Sequence, residues 1–200
     1  MTNYDNLYKD GRAIFGEKPL PLVEHILNYK TSGTVLDIGS GYGRNSLFLA
    51  QKGFAVTAID TSGVAIENLL KSAADLELPI TAKIEKAENV ELGTPYDVVL
   101  AMFVLHHVPD KMARKLISCL QEHTPLSGIH TIAAFTNDSD FYREKPKRKD
   151  FFYPKPGELK DLYAGWEILV WEEKETKATQ KNDTGTQMRN LTSFLLASKN

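Results

Sequence analysis

The sequence predicts an α/β protein built on a doubly wound, parallel sheet. Three observations carry this. Five short apolar, β-branched runs alternate with segments of helical period. The first run opens directly into the glycine-rich turn Gly39-Ser40-Gly41-Tyr42-Gly43. A continuous apolar run over residues 96–103 has the pattern of a strand buried on both faces. With 200 residues, 42% hydrophobic and 25% charged, the chain has the balance of a single soluble globular domain.

Thr34-Val35-Leu36-Asp37-Ile38 is the first strand, and residues 45–52 read as a helix stopped by Gly53. Residues 54–59 form a second strand ending at Asp60. Thr61 or Ser62 then caps a helix carrying Ile66, Leu69, Leu70, Ala73 and Ala74, which Pro79 ends. A weaker third strand spans 80–84. After the fourth strand at 96–103, Pro109 opens a helix with Met112, Ala113, Leu116, Ile117 and Leu120 at helical spacing. Pro125 and Gly128 end it before a fifth strand at 129–135. The alternation stops there. Residues 137–157 form a long polar loop with the basic cluster Lys145, Lys147, Arg148 and Lys149, followed by Phe151-Phe152-Tyr153-Pro154. A short helix at 158–163 precedes strands at 166–172 and 188–198, joined by the polar segment 173–187. No helix separates these two strands, so they read as an antiparallel closing hairpin.

Lys and Arg (24) nearly balance Asp and Glu (26), which argues against a protein that coats nucleic acid. The lone Cys119 offers neither an internal disulfide nor a metal cluster. Residues 1–16 lack an apolar stretch behind a basic start, and no run approaches the roughly 18 apolar residues of a membrane span. The expectation is a cytoplasmic protein with no membrane or nucleic-acid partner and no bound metal.

In open α/β sheets, ligands bind at the carboxyl ends of the strands, where strand order reverses. Asp37 and the glycines stand at that end of the first strand, and Asp60 follows Gly39 by 21 residues, at the end of the second. An acid so placed accepts hydrogen bonds from ribose hydroxyls, so the pair of features points to a nucleoside cofactor. The dinucleotide fingerprint needs a third glycine at position 44. Here Arg44 stands there and Gly43 falls one residue early, which disfavours an NAD- or nucleotide-sugar-dependent oxidoreductase.

The series Val35-Leu36-Asp37-Ile38-Gly39-Ser40-Gly41-Tyr42-Gly43, then Val56-Thr57-Ala58-Ile59-Asp60, then Tyr96-Asp97-Val98-Val99 leading to Leu105-His106-His107-Val108-Pro109-Asp110, resembles class I S-adenosylmethionine-dependent methyltransferases over residues 30–135. The resemblance implies a Rossmann-like seven-stranded sheet, mostly parallel with an antiparallel last strand. It implies one domain, with a lid segment at 1–30, a cofactor-binding core at 31–136, and a substrate loop and closing hairpin at 137–200. The glycine turn, Gly39, Ser40 and Gly41, would cradle the methionyl part of S-adenosyl-L-methionine, Asp60 would hold its ribose, and Met102, near the end of the fourth strand, would lie beside the methionyl part; Asp37 and Thr61 complete the cofactor-binding set. The residue after the third strand is often an Asp that accepts from adenine. Here the series reads Lys86-Ala87-Glu88-Asn89, and lysine accepts no hydrogen bond. Adenine would then be held by the backbone at Lys86 and Ala87, or by Glu85 or Glu88.

Tyr4-Asp5-Asn6-Leu7-Tyr8-Lys9-Asp10-Gly11 with Phe15-Gly16-Glu17-Lys18-Pro19, and Pro156-Gly157-Glu158-Leu159-Lys160 with Trp166-Glu167-Ile168-Leu169, are similar to the TehB-like (tellurite resistance) methyltransferases. That family tends to carry His and Arg on its last hairpin, facing the active site. Here the region reads Thr179-Gln180-Lys181-Asn182 and Arg189-Asn190-Leu191, which sets tellurite itself in question.

Methyl transfer from a sulfonium depends on proximity more than on acid or base help, so no catalytic residue is required. For an acceptor that must lose a proton, His106 or His107 is a candidate base; the competing reading has one packed and the other capping or solvated. Arg12, by the resemblance in the lid, would pair with the methionyl carboxylate, or is an ordinary surface arginine. Arg44, in a helix first turn where a cation is mildly unfavourable, is a second candidate for a carboxylate. The basic cluster attracts an anionic substrate or is a solvated loop. Phe151, Phe152 and Tyr153 close an apolar pocket or pack in the core, and Tyr8 and Tyr42 stay similarly open. The expected function is methylation of a small-molecule acceptor, a tellurite- or selenite-type oxyanion or another soft nucleophile. The rivals are the oxidoreductase above and a non-catalytic nucleoside-binding protein of the same fold. No motif specifies the acceptor or the oligomeric state.

Overall fold

The computed structural model describes residues 4–8, 15–144, 149–181 and 185–200. Seven strands, β1 (Gly33–Ile38), β2 (Phe54–Asp60), β3 (Ile80–Ile84), β4 (Val98–Met102), β5 (Ile129–Phe135), β6 (Glu167–Lys181) and β7 (Gln187–Ser198), form one sheet in the order β3-β2-β1-β4-β5-β7-β6. All pair in parallel except β7, which is inserted between β5 and β6 and runs antiparallel to both. The helices are α1 (Tyr4–Tyr8), α2 (Pro21–Glu24), α3 (Arg44–Gln51), α4 (Gly63–Asp75), α5 (Asp110–His123), α6 (Asp140–Arg143) and α7 (Glu158–Asp161). Among the described residues, no helix is long and apolar enough to cross a membrane.

The sheet divides two cores. On one face Leu36, Ile38, Val99 and Ala101 pack with Ala113, Leu116, Ile117 and Leu120 of α5 and with Phe152 and Tyr163. On the other, Val35, Val98, Leu100 and Met102 pack with Leu49 and Ala50 of α3 and with Val23 and Ile26. The central strands β1 and β4 are covered on both sides, which is why they read as unbroken apolar runs.

Three segments differ from the sequence-based expectation. Residues 1–30 are not all a cover for the site. Pro21 starts α2, which runs into a 3-10 turn at His25–Asn28, and fully buried Val23 and Ile26 make this segment a wall of the second core. The closing strands reach into the polar segment 173–187: β6 continues to Lys181, pairing Glu175 with Leu191 and Lys177 with Arg189. Residues 173–181 of β6 are almost all polar, so this part of the strand carries no apolar alternation of its own, and the face that Met188 and Asn190 bury belongs to its partner β7. The loop at 137–157 holds α6, and an isolated bridge joins Phe151 to Pro109.

Below the first core, fully buried His130 is held at both nitrogens. Thr124 Oγ1 donates to the Leu120 carbonyl (2.7 Å), so it accepts from His130 Nε2–H (2.7 Å), and the Tyr163 hydroxyl donates to Nδ1 (2.7 Å). Burial first, and the Lys199 charge second, push the imidazole down to about 3. The unfolded chain binds a proton below its ordinary value of about 6.5 that the fold refuses. Stability is therefore expected to fall by about 1.4 kcal/mol for each pH unit below that value, until the folded value is reached. Chemical denaturation at about pH 7 and about pH 5 checks this against a His130→Gln variant, which should lose that acid-dependent component. An equal acid loss in the variant contradicts the assignment.

Candidate active site

The glycine turn leaves β1 at the point where its neighbours, β2 and β4, lie on opposite sides, the reversal that opens a crevice in this class of sheet. The Gly39 and Ser40 amides donate to the Ile59 carbonyl (2.8 and 3.0 Å). The Gly41 amide donates to Asp60 Oδ2 (2.9 Å), and Asp60 Oδ1 accepts from the Ser62 amide (2.9 Å). Gly41 has φ 55°, and a Cβ there would sit 2.8 Å from the Tyr8 hydroxyl, so this position favours glycine. Burial raises the Asp60 carboxyl above the usual carboxylate range, while its backbone donors from Ser62, Gly41 and Thr61 oppose the rise. Each oxygen still has a lone pair to offer.

Asp37 is fully buried behind the turn. Ser46 Oγ donates to its Oδ2 (2.6 Å), yet burial pushes the carboxyl up to about 6, helped by the charge of Asp60 and opposed by Ser46 and Arg44. The half-buried Arg44 guanidinium donates to the Phe15 carbonyl and faces Asp37 and Tyr8, which ties the N-terminal segment to the turn. Ser40 Oγ is buried with no hydrogen-bond partner among the described residues.

Asp37, Gly39, Ser40, Gly41, Asp60 and Thr61 thus converge at the carboxyl ends of β1 and β2. Between the two offered caps, the structure uses Ser62, whose side chain accepts from the Ala65 amide (3.2 Å), and leaves Thr61 exposed. Lys86 is exposed after β3 while Ala87 is buried, and the flanking Glu85 and Glu88 are half-buried. Met102 is the last residue of β4, and its side chain packs with the α2–α3 core. Strand alternation sends it to that face with Val98 and Leu100. Beyond it, Phe103 holds φ 58°, uncommon for a bulky side chain, and its ring lies near Phe135 (5.2 Å) and Phe194 (6.0 Å). Sequence reasoning passed over Phe103, since nothing in local composition marks a left-handed residue. Arg12, Lys145, Lys147, Arg148 and Asn182 lie outside the described residues, and Lys149 is exposed.

His106 and His107 form a 3-10 turn with Leu105 after β4, their rings 4.0 Å apart. His106 is buried among Phe135 (4.8 Å), Phe141 (5.8 Å) and Tyr153 (5.9 Å). The aromatic run 151–153 therefore divides: Phe152 enters the main core, and Tyr153 joins this cluster. On the last hairpin, Arg189 pairs with Glu175, while Asn190 is buried with its Oδ1 accepting from the Phe141 amide (3.1 Å).

Helix α1 lies across these strand ends. Asp5 Oδ1 accepts from Ser62 Oγ (2.6 Å), the Tyr42 hydroxyl donates to the Tyr8 carbonyl, and Tyr4 Oη meets His107 Nε2 at 2.7 Å. Burial first, then Asp60, pushes the Tyr8 phenol far up, so it is a neutral hydroxyl. Tyr4 and Asp5 were not singled out as site residues from sequence; the i, i+4 pairing of Tyr4 with Tyr8 on one helix face is the signal that marks them.

The family described as "Tellurite resistance protein TehB" matches residues 22–195. The chain belongs to the TehB family. The curated TehB of Haemophilus influenzae strain 10810, described as a probable S-adenosyl-L-methionine-dependent methyltransferase, is 27% identical over 165 residues, covering 82% of this chain and 57% of that protein. Hemagglutinin 1 of Eikenella corrodens is 33% identical over 138 residues, 69% of this chain and 45% of that one. The chain thus spans about half the length of the curated relatives it matches. The crystal structure of TehB from Haemophilus influenzae superposes with a TM-score of 0.76 at 25% identity, covering 89% of this chain and 61% of that one. The sheet order described above is that of the S-adenosylmethionine-dependent methyltransferase fold.

Proposed function

We propose that this TehB-family chain transfers a methyl group from S-adenosylmethionine to a small-molecule acceptor that meets it at the carboxyl ends of β4 and β5. One observation carries the reading: Asp60 and the glycine turn are locked together by the Gly41 amide at the point where strand order reverses, with the unpartnered Ser40 Oγ beside them. That set fits the cofactor. The glycine backbone leaves room for the methionyl part, and Ser40 Oγ is a buried group in need of a partner. Asp60 offers its remaining lone pairs to ribose hydroxyls, and the backbone at Lys86 and Ala87 meets the adenine edge. Asp37 supports the turn from behind, and the exposed Thr61 borders the ribose. Residues 31–136 serve as the cofactor-binding core, α1 within 1–30 as its cover, and 137–200 as the acceptor side.

When bound, the cofactor supplies an electrophilic methyl on a sulfonium. The chain's own contribution is orientation and exclusion of water, which dominate such displacements. Rings of Phe135, Phe141 and Tyr153 surround the acceptor side, and the described arginines nearby, Arg143 and Arg189, are paired with Asp138 and Glu175. This favours a soft nucleophile of low charge, such as a thiol, over an oxyanion such as tellurite.

Calorimetry with S-adenosylmethionine, S-adenosylhomocysteine and NAD tests the cofactor. Binding of both sulfur nucleosides is expected, and tight NAD binding with no response to either overturns the reading. A panel of thiols, selenite and tellurite, scored by S-adenosylhomocysteine release, tests the acceptor. Turnover of the oxyanions alone overturns the preference for low charge.

A further inference from the structure

We propose that Tyr4 is a positioning residue for His107, and that the imidazole it holds takes the proton of the methyl acceptor; this rests on the methyltransferase reading above. Of the two histidines after β4, His106 is buried in aromatic rings, whereas His107 is half-buried and lies toward the cofactor cover. Its Nε2 is 2.7 Å from Tyr4 Oη, and the two rings meet edge to face at 5.2 Å and 83°. The residues are 103 apart in the chain.

Helix α1 reaches this contact with little freedom left. Asp5 is fixed to Ser62 at the start of α4, and Tyr8 is fixed on the glycine turn by its carbonyl, by ring contact with Tyr42 at 4.7 Å and by its hydroxyl over Gly41. Tyr4 therefore arrives at His107 as part of the element that covers the cofactor. A hydrogen bond at one ring nitrogen sets both the tilt of an imidazole and the tautomer that decides which nitrogen bears the lone pair. The groups around the pair include Asp5 and Tyr8 on α1, His106 on the same turn and Tyr153 behind it, with Asp60 and Arg44 facing Tyr8.

The step balances simply. The acceptor's lone pair forms the new bond to the methyl carbon, the electron pair of the broken carbon–sulfur bond stays on sulfur, and the acceptor's proton passes to the His107 imidazole. One consequence is a chain that assembles its base only when α1 is seated, so cofactor cover and proton removal are made by the same helix.

Long-range proton–nitrogen correlation spectra of nitrogen-15-labelled protein, without ligand and with saturating S-adenosylhomocysteine, read the His107 tautomer directly, and His107→Asn assigns the signal. Tyr4→Phe is expected to shift the His107 nitrogen resonances while leaving S-adenosylhomocysteine affinity unchanged. With any acceptor the panel identifies, Tyr4→Phe should lower kcat about tenfold at constant KM for S-adenosylmethionine. His107→Asn should lower it by about 10²-fold or more. Unmoved His107 resonances in Tyr4→Phe, or full turnover by His107→Asn, overturns the proposal. Wild-type protein that fails to bind S-adenosylhomocysteine overturns the methyltransferase reading instead, and the two failures are distinguishable.

Discussion

Asp60→Ala is expected to weaken S-adenosylmethionine binding by about 1–3 kcal/mol, roughly a ten- to hundredfold rise in Kd. Two losses combine. In the proposed binding mode the ribose hydroxyls lose an acceptor, and the Gly41 and Ser62 amides lose theirs at the same time, since both donate to this one carboxylate. Because Gly41 has a positive φ and lies under Tyr8, freeing its amide also loosens the cover. The raised carboxyl of Asp60 shows that the fold holds this charge at a cost, so removing it should not lower the melting temperature in proportion to the lost affinity. Calorimetric titration of Asp60→Ala beside a thermal melt separates the two effects. An unchanged Kd in a folded variant removes Asp60 from the binding site.

Gly43→Ala is expected to cost about 2–5 kcal/mol of fold stability, a large share of the roughly 5–15 kcal/mol that holds a domain together. Gly43 caps α3 in a left-handed conformation, φ 79°, where an L side chain is strained. An added Cβ would stand 2.2 Å from Cδ1 of Leu69, a fully buried residue of α4. No rotamer at the end of a flexible chain relieves this, because Leu69 is enclosed. Chemical denaturation of Gly43→Ala, Leu69→Ala and the double variant resolves the parts: Gly43→Ala should cost less in the Leu69→Ala background, leaving only the backbone strain. A loss below about 1 kcal/mol in the single variant contradicts the clash.

Gly43 also explains why its sequence position looked anomalous. Against the dinucleotide fingerprint it falls one residue early, with Arg44 where glycine belongs. In the fold, Gly43 is the close-packing glycine, against α4, and Arg44 starts α3 with its guanidinium on the Phe15 carbonyl. The displacement is a change in how the helices meet, and the sequence recorded it without showing its partner.

Chain-local chemistry determined the alternation of strands and helices, the turn from Gly39 to Gly43 and the acid at position 60. These follow from side-chain period, backbone permissiveness and strand ends, which are properties of neighbouring residues. The polar end of β6 was illegible because its own residues 173–181 carry no apolar alternation and its pairing is set by β7. Met102 and Phe103 show how fine the limit is: Met102 ends β4 inside the α2–α3 core, and the next residue turns left-handed at φ 58° and packs its ring against that same core, a break in the strand that no local composition marks. Tertiary structure alone decided that Tyr4 meets His107, that Asp5 meets Ser62 and that Tyr8 lies over Gly41. Those contacts join residues tens of positions apart, and only the packing of α1 across three strand ends brings them within hydrogen-bond reach.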